Sequence, residues 1–296
     1  MDPQKMLVAG IIIALLVGVG IGYAISMGEV SQLKAKVASL ESQLKAQGAS
    51  QEGCVKTSGL VEKIKERGYI ILGTSADWPP FEYIDKQGNY VGIDIEIAKK
   101  IAEKLGVKLV VKDMKFAALI QSLQDGKIDM ILADMTPTPD REKVVDFSIP
   151  YYFSKGNAVV VLKSSNIQSL EDLKGKKVGV QLGTIQEDWA KEHLKDIAQI
   201  ASYDKVYPDM VMVLKRGDVA AIIVSDMVGE VLLKKDPDLK IAFYAGGSGV
   251  GGAVAVPQCA EDLKYVVNSV IYEMLQNGQM KQIFQQEIDK WLSSQG

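Results

Sequence analysis

The stretch ADMTPTPDREKVVDFSIPYY, residues 133–152, decides how the rest of the sequence is interpreted. It follows GKIDMILA, whose glycine turn and apolar run predict a buried strand. That strand ends on polar side chains, Asp134, Thr136 and Arg141, before the chain returns to apolar and aromatic residues. Because ligands bind beyond the carboxyl ends of strands in open α/β sheets, the stretch predicts one wall of a binding cleft.

Strands and helices alternate on both sides of this stretch. Apolar runs predict three strands before it and four after it, at residues 69–74, 107–113, 127–133, 157–162, 176–183, 197–203 and 219–225. Amphipathic helices separate them; the first places Ile93, Ile97 and Ile101 on one face. Two α/β units, each with a parallel sheet, are therefore expected side by side, followed by a strand at 251–257 and two C-terminal helices.

The composition excludes several classes of function. The chain has 296 residues, 47% hydrophobic and 24% charged, which is enough to bury a core. Its net charge of −3, without a stripe of lysine or arginine, argues against a nucleic-acid partner. The single histidine, His193, excludes mechanisms that need two imidazoles. Since no Cys/His metal spacing occurs, no metal or other cofactor is expected.

A glycine-rich segment, GGSGVGGA at residues 246–253, formally matches a dinucleotide-binding fingerprint. Such a fingerprint opens a helix, whereas the strand-like run AVAVP follows here. A flexible or close-packed crossing of the chain is the better interpretation.

The N-terminus predicts a membrane helix. Residues 6–27 contain no charge over 22 positions, the length that spans a bilayer core. Lys5 and the amino terminus supply a positive flank, which favours an extracytoplasmic location for the rest of the chain. We expect residues 1–28 to be a signal anchor; cleavage after Ser26, which would release the protein, is the alternative.

Residues 29–57 are predicted to form a helical spacer and a linker. Five apolar residues alternate by three and four positions, as in a coiled coil of about two heptads: Val30, Leu33, Val37, Leu40 and Leu44. A self-associating stalk and a plain spacer both fit this pattern. Cys54 and Cys259 are the only cysteines, and an oxidising compartment permits a disulfide between them; two separate thiols are the alternative.

The polar residues at the predicted strand ends form a consistent chemical set. Arg141 suits a carboxylate, which an arginine holds with two parallel hydrogen bonds. The helix that starts after Gly183 and Thr184 offers free amides to an anion, and Asp226 suits an ammonium. With the aromatic side chains of Trp78 and Phe116, the set predicts a site for an α-amino acid.

Five segments carry a resemblance to a known family: GTSADWPPFEY, GNYVGIDIEIAKKIAEKLG, ALIQSLQDGKIDMILADMTPTPDREKVVDFSIPYY, SLEDLKGKKVGVQLGT and GDVAAIIVSDM. They resemble the polar amino-acid binding proteins of ABC importers, which have the type II periplasmic-binding-protein fold. The resemblance covers about residues 59–291. The Thr-x-Thr-x-x-Arg pattern at 136–141, followed by Asp-Phe-Ser-x-Pro-Tyr, is its most specific part.

The resemblance implies a role for each site residue. Arg141 and Thr136 would hold the ligand α-carboxylate, together with the backbone amide of Thr184. Asp226 would bind the α-ammonium, helped by a backbone carbonyl near Asp134. The remaining roles concern the ligand side chain, which would lie between Trp78 and Phe116 and meet Ser75, Gln181 and Gln186 at its far end.

The resemblance leaves the ligand open between glutamine and a basic amino acid such as arginine. Members that bind basic side chains often have an acidic residue where Ser75 stands, which argues against a basic ligand. Asp134, at a position that is often glycine or serine, adds a carboxylate and argues for one.

The resemblance also implies the domain organisation and the partners. Residues 58–153 plus 252–296 would form one lobe and residues 154–251 the other, and the two crossings between them would act as a hinge. A ligand that joins both lobes would favour the closed state, which an ABC permease with its ATPase would recognise. An enzyme is not expected; a membrane-anchored amino-acid sensor and, less favoured, a dehydratase of the same fold are the alternatives.

Overall fold

The computed structural model describes residues 59–246 and 249–294. The predicted membrane helix at 6–27, the predicted spacer and Cys54 lie outside these residues. Within the described ranges, no helix is both long enough and apolar enough to cross a bilayer. Cys259 is disulfide-bonded, and its pairing with Cys54 stays a prediction.

The first sheet has five strands in the order β5-β1-β6-β15-β7. Their bounds are β1 Tyr69–Thr74, β5 Lys108–Asp113, β6 Met130–Ile131, β7 Val145–Phe147 and β15 Ala255–Pro257. The strands β1, β5 and β6 run parallel, with Leu72 opposite both Val111 and Met130. A short antiparallel sheet precedes the first long helix, formed by β2 Asp77–Trp78, β3 Glu82–Ile84 and β4 Tyr90–Val91.

Helices cover the first sheet. They are α1 Leu60–Arg67, α2 Ile93–Leu105, α3 Leu119–Gln124, α4 Pro139–Glu142, α8 Glu261–Gln276 and α9 Gln279–Ser293, with a 3₁₀ turn at Phe116–Ala118. The predicted apolar face of α2 is buried, and its C-terminus is capped by Gly106, whose left-handed conformation lets the amide donate to Ala102 and Glu103. The two C-terminal helices pack against α2, so residues distant in sequence complete this unit.

The second sheet also has five strands, in the order β11-β10-β12-β9-β13. The strands are β9 Asn157–Leu162, β10 Lys177–Gln181, β11 Gln199–Tyr203, β12 Ala221–Ser225 and β13 Leu239–Ala245. The helices of this unit are α5 Ile185–His193, α6 Val211–Arg216 and α7 Asp226–Lys235, with a 3₁₀ turn at Glu171–Leu173 and an irregular turn at Val206–Met210. β13 and the irregular turn have no counterpart among the predicted elements.

The prediction of wholly parallel sheets is wrong, because each sheet contains antiparallel strands. In the second sheet β9 runs antiparallel to β12 and β13, and in the first β15 runs antiparallel to β6 and β7. A parallel neighbour needs a long crossover, usually a helix. No helix lies between Phe147 and β9, or between β14 and β15, so both strands enter their sheets directly from the other unit.

The chain crosses between the two sheets in two segments that pair with each other. The short strands β8 Phe153–Ser154 and β14 Gly249–Val250 are antiparallel, with Phe153 opposite Val250. Two glycines follow, and a Cβ atom on either would collide with a tyrosine: 2.5 Å from the ring of Tyr152 for Gly251, and 2.6 Å from the ring of Tyr151 for Gly252. Gly251 and Gly252 therefore serve close packing of the crossings, one of the two expected interpretations.

Candidate functional site

The carboxyl ends of the strands from both sheets surround one pocket. Its lining residues are Trp78, Phe116, Ala133, Asp134, Thr136, Arg141, Ser154, Gln181, Thr184, Ile185, Gln186, Ser225 and Gly251. Eight of the eleven predicted site residues are among these; Ser75, Gly183 and Asp226 are not. The strand ends, the two crossings and the start of α5 therefore contribute to a single cleft.

Arg141 spans this cleft. It is on the four-residue helix α4, whose N-cap Thr138 accepts a hydrogen bond from the Arg141 amide through its side chain at 3.3 Å. The guanidinium donates to the carbonyl of Thr136 at 2.8 Å and, in the other unit, to the carbonyl of Gly183 at 3.0 Å. Burial lowers the pKa of Arg141 to about 10, so it stays cationic at neutral pH. The Cζ atom of the Arg141 guanidinium also lies 5.4 Å from the centre of the Phe116 ring.

The start of α5 offers backbone amides to the pocket. Thr184 is the N-cap, and its hydroxyl accepts from the amide of Glu187 at 3.2 Å, while the Glu187 carboxylate accepts from the amide of Gly183 at 2.7 Å. The amide of Thr184, predicted to reach the ligand, points at the carbonyl of Gln181 at 3.4 Å. The amides of Ile185 and Gln186 begin the helix and have no intrahelical acceptor.

Gly183 brings the two units into close contact. Its φ of 81° lies in the left-handed region, and a Cβ atom there would come within 3.0 Å of the Ala117 side chain. Both features require glycine. Gly183 therefore contributes its carbonyl to Arg141 and its small size to the approach of the two units, rather than a side chain to the pocket.

Asp134 is a half-buried acid in a strained backbone conformation. Its φ is 43°, in the left-handed region that disfavours side chains, and its amide donates to the carboxylate of Asp94 at 2.8 Å. The indole of Trp78 donates to Asp134 Oδ2 at 3.0 Å, whereas Oδ1 is buried without a hydrogen-bond partner among the described residues. Burial, reinforced by the charges of Asp94 and Asp226, raises the pKa of Asp134 well above its usual range.

Two further buried acids stand behind Asp134, and the sequence analysis missed both. Asp94 accepts a hydrogen bond from the hydroxyl of Tyr151 at 2.9 Å, and burial raises its pKa to about 7. Burial and the charge of Asp94 raise the pKa of Glu82 well above its usual range. Within the described part of the chain no such group of side chains is arranged to hold a metal ion. The cluster therefore places carboxyls behind the pocket wall that burial drives toward their neutral forms, and a cation close to them would favour their charged forms.

Asp226 lies beside the pocket without lining it. Its carboxylate accepts from the hydroxyls of Tyr152 at 2.7 Å and Ser154 at 2.8 Å, and from the amide of Lys155 at 2.8 Å. These donors belong to the first crossing segment, so Asp226 fixes the start of α7 to that segment. The neighbouring Ser225 does line the pocket, and its hydroxyl is buried without a partner among the described residues.

Ser75 and Gln181 converge on a residue that the sequence analysis did not select, Asp77. The Ser75 hydroxyl donates to Asp77 Oδ1 at 3.1 Å, and the Gln181 amide donates to both carboxylate oxygens at 3.1 and 3.2 Å. Gln186 instead donates to the side chain of Asn157 at 3.1 Å. Ser75 therefore acts through Asp77 at the edge of the pocket rather than in its lining.

Two α/β units joined by two crossings, with a cationic side chain reaching across the cleft, define a two-lobed solute-binding protein. The chain belongs to the bacterial extracellular solute-binding proteins, family 3, whose family model matches residues 70–292. The predicted family and its α/β two-lobed fold are thereby confirmed.

Several characterised proteins are similar to this chain. An arginine-binding extracellular protein, ArtP, of Bacillus subtilis is 41% identical over 72% of this chain and 84% of its own length. An L-cystine-binding protein, TcyJ, of Escherichia coli is 33% identical over 80% of this chain and 87% of its own. The solved structure of an amino acid ABC transporter substrate-binding protein, AbpA, from Streptococcus pneumoniae bound to L-arginine superimposes with a TM-score of 0.74 at 35% identity, covering 78% of this chain and 99% of its own.

Proposed function

We propose that this protein captures an L-amino acid with a cationic side chain outside the cytoplasm and delivers it to the permease of an ABC importer. The observation that carries this proposal is the excess of acids, two of them buried and one half-buried, around one half-buried arginine. Asp77, Asp134 and Asp226 stand at the pocket or directly behind it, whereas Arg141 is the cation that lines it. A zwitterion with an additional positive charge balances this arrangement better than a neutral amino acid does.

The α-carboxylate binds to Arg141, Thr136 and the amides at the start of α5. An arginine side chain carries five N–H donors, and two of those of Arg141 point at backbone carbonyls, which leaves others for the ligand. The helix N-terminus adds two backbone donors and the favourable end of its dipole. These groups come from both lobes, so the carboxylate end joins the lobes.

The α-ammonium binds between the lobes at Asp134 and Ser225. Both offer a buried oxygen atom, one from each sheet, and the Ser225 hydroxyl lies close enough to Asp134 to lower the pKa of its carboxyl. Asp226, directly behind Ser225, adds a negative charge held in place by Tyr152 and Ser154. Trp78 and Phe116 border the apolar part of the ligand side chain. An ammonium between these two side chains therefore donates a hydrogen bond to each of two buried oxygen atoms.

Ligand binding closes the protein. Residues 58–153 with 252–296 form one lobe and residues 154–251 the other, and the paired crossings act as the hinge. The ligand makes its full set of contacts only when the lobes are closed, so it binds that state more tightly and shifts the population toward it. A shift from about 1% to 99% closed requires a preference of about 5.5 kcal/mol. Several charge-assisted hydrogen bonds, at about 1.5–3 kcal/mol each, supply it.

The N-terminal region holds the binding domain at the membrane. Residues 1–28 act as an uncleaved signal anchor, and residues 29–57 as the spacer that separates the binding domain from the bilayer. The 22 uncharged residues at 6–27 support this proposal, as does the extracellular character of the family. Anchoring keeps the loaded protein near its permease, because a tethered partner has a high local concentration.

A thermal-unfolding screen of the full chain against the twenty amino acids tests this function. Arginine, lysine and related cations are expected to raise the unfolding midpoint most, since a ligand at 100 times its dissociation constant stabilises by about 2.7 kcal/mol. A preference for glutamine, or no shift with any amino acid, would reject the proposed ligand class.

A further inference from the structure

Asp77 is a buried carboxylate that joins the two lobes. It is 2% exposed and begins the short strand β2, directly after the carboxyl end of β1. From its own lobe it accepts a hydrogen bond from Ser75, and from the other lobe it accepts bonds from the Gln181 side chain and, at 3.0 Å, from the backbone amide of Val206. Every one of these donors is neutral.

Asp77 differs in this respect from the acids around it. At the same edge of the cleft, Asp204 pairs with Lys115 at 2.7 Å, and Asp113 is exposed to solvent. Within residues 59–246 and 249–294, no lysine or arginine forms an ion pair with Asp77. Burial raises the pKa of this carboxyl to about 7, although the hydrogen bonds from Val206, Ser75 and Gln181 lower it. A buried carboxylate of this kind gains most from a cation.

The side-chain amide of Gln181 lies at the position where such a cation would bind. Its side chain lines the pocket, and its amide nitrogen donates to both oxygens of Asp77 at 3.2 and 3.1 Å. A donor in front of both oxygens occupies the position that a guanidinium takes in a bidentate pair with a carboxylate. The carboxylate therefore faces the pocket across one neutral side chain, which also donates to the carbonyl of Asp204 at 3.2 Å. On its other side Asp77 lines a second cavity together with Lys115 and Lys205.

We propose that Asp77 is the residue that selects a cationic ligand side chain, receiving its guanidinium or ammonium in the place that the Gln181 amide holds. This inference rests on the proposed function, because it assigns the far end of the same site. A neutral ligand would exchange one neutral hydrogen bond for another at Asp77. A cationic ligand exchanges a neutral bond for a charge-assisted one in a site shielded from water, so Asp77 favours the cation.

The test compares arginine with citrulline, which replaces the guanidinium by a neutral urea of nearly the same shape. Calorimetric titrations use the full-length protein and its Asp77→Asn variant, which keeps the size of the side chain and removes its charge. We expect the wild type to bind arginine at least about 10-fold more tightly than citrulline. In Asp77→Asn, the affinity for arginine is expected to fall about 10- to 100-fold, and that for citrulline by less than about 3-fold.

Two further variants control the result. Asp113→Asn removes an exposed charge from the same edge of the cleft but keeps an oxygen that can accept the hydrogen bond from the Ala76 amide, so less than about a 2-fold change is expected for either ligand. Asp77→Glu keeps the charge, and is expected to bind less tightly while preserving the preference for arginine.

Three outcomes overturn the inference. If Asp77→Asn weakens arginine and citrulline equally, Asp77 only holds the lobes together. If the wild type binds arginine and citrulline equally, Asp77 does not select for charge. This comparison uses the wild type alone, so it holds even if a variant fails to fold. If the wild type binds no amino acid at all, both the proposed function and this inference fail. In the first two outcomes the protein still binds amino acids, so only the role of Asp77 is rejected.

Discussion

Arg141 is the residue on which the proposed ligand contacts depend most. Its replacement by alanine removes the guanidinium that reaches Thr136 and Gly183 on opposite sides of the cleft. We predict that Arg141→Ala weakens amino-acid binding about 100-fold or more, since two charge-assisted contacts contribute about 1.5–3 kcal/mol each. Calorimetry on the full chain measures the loss.

Arg216→Ala provides the matched control for Arg141→Ala. Arg216 is exposed and forms a surface ion pair with Asp218 at 2.7 Å, a contact of little energetic consequence. This variant should bind as the wild type does. Near-native affinity in Arg141→Ala would remove that residue from the site.

Asp134 has a side chain at a position where the backbone conformation suits glycine. We predict that Asp134→Gly raises the stability of the ligand-free protein by about 1 kcal/mol or more, because it relieves a left-handed backbone and removes a half-buried acid. The same variant should bind a cationic amino acid at least about 10-fold more weakly, because the ammonium loses an acceptor. Chemical denaturation and calorimetry measure the two effects. A variant that is less stable yet binds normally would show that Asp134 is structural.

At the scale of elements, local patterns predict most of the fold. The strand predicted at 157–162 has these bounds in the structure, and the helix α2 has the buried face and the glycine cap that its sequence indicates. The strand directions were not predictable from local patterns. Whether β9 and β15 run parallel or antiparallel depends on where the crossings enter the sheets, and that is set by contacts between distant parts of the chain.

Site residues were predictable from the sequence where a polar or charged side chain follows the end of a predicted strand. Arg141, Thr136 and the start of α5 follow strands directly, and the structure brings them together. Asp77 and Asp94 escaped notice because an acid in a loop or on a helix is normally solvated, and only the tertiary structure buries these two. Ser154 and Gly251 lie on the crossings, whose contribution to the pocket depends on their pairing.

The second crossing predicts a clear difference between two glycines. A Cβ atom at Gly252 would lie 2.6 Å from the ring of Tyr151, whose hydroxyl is fixed by Asp94, whereas a Cβ atom at Gly249 meets nothing within 4 Å. We predict that Gly252→Ala lowers the free energy of unfolding by about 1–3 kcal/mol and that Gly249→Ala changes it by less than about 0.5 kcal/mol. Urea denaturation compares the two, and equal effects would contradict the packing of the crossings.

At the scale of the whole molecule, the buried acids predict how stability depends on pH. Asp77 and Asp94 have pKa values raised to about 7 by burial, against about 3.9 in an unfolded chain. Between these values the folded protein binds protons that the unfolded chain does not, so the free energy of unfolding falls as pH rises from about 4 to about 7 and levels off above that. The ligand-free protein should therefore have a higher unfolding midpoint at pH 5 than at pH 8.

Asp77→Asn is the variant that checks this interpretation. It removes one of the titrating groups and keeps a side chain of the same size, and the groups that donate to Asp77 (Ser75, Gln181 and the Val206 amide) are neutral. Its difference in midpoint between pH 5 and pH 8 should be smaller than that of the wild type. A wild-type midpoint that is higher at pH 8 would show that the acids are not buried as described.

The central claim is that the two lobes enclose one amino acid with a cationic side chain. Calorimetric titration of the full chain with L-arginine, beside the same titration with L-glutamine, tests it most directly. The account predicts saturable binding of one L-arginine per chain, with L-glutamine bound at least about 10-fold more weakly, which corresponds to about 1.4 kcal/mol. Glutamine bound as tightly as arginine, or no heat of binding with either amino acid, would contradict it.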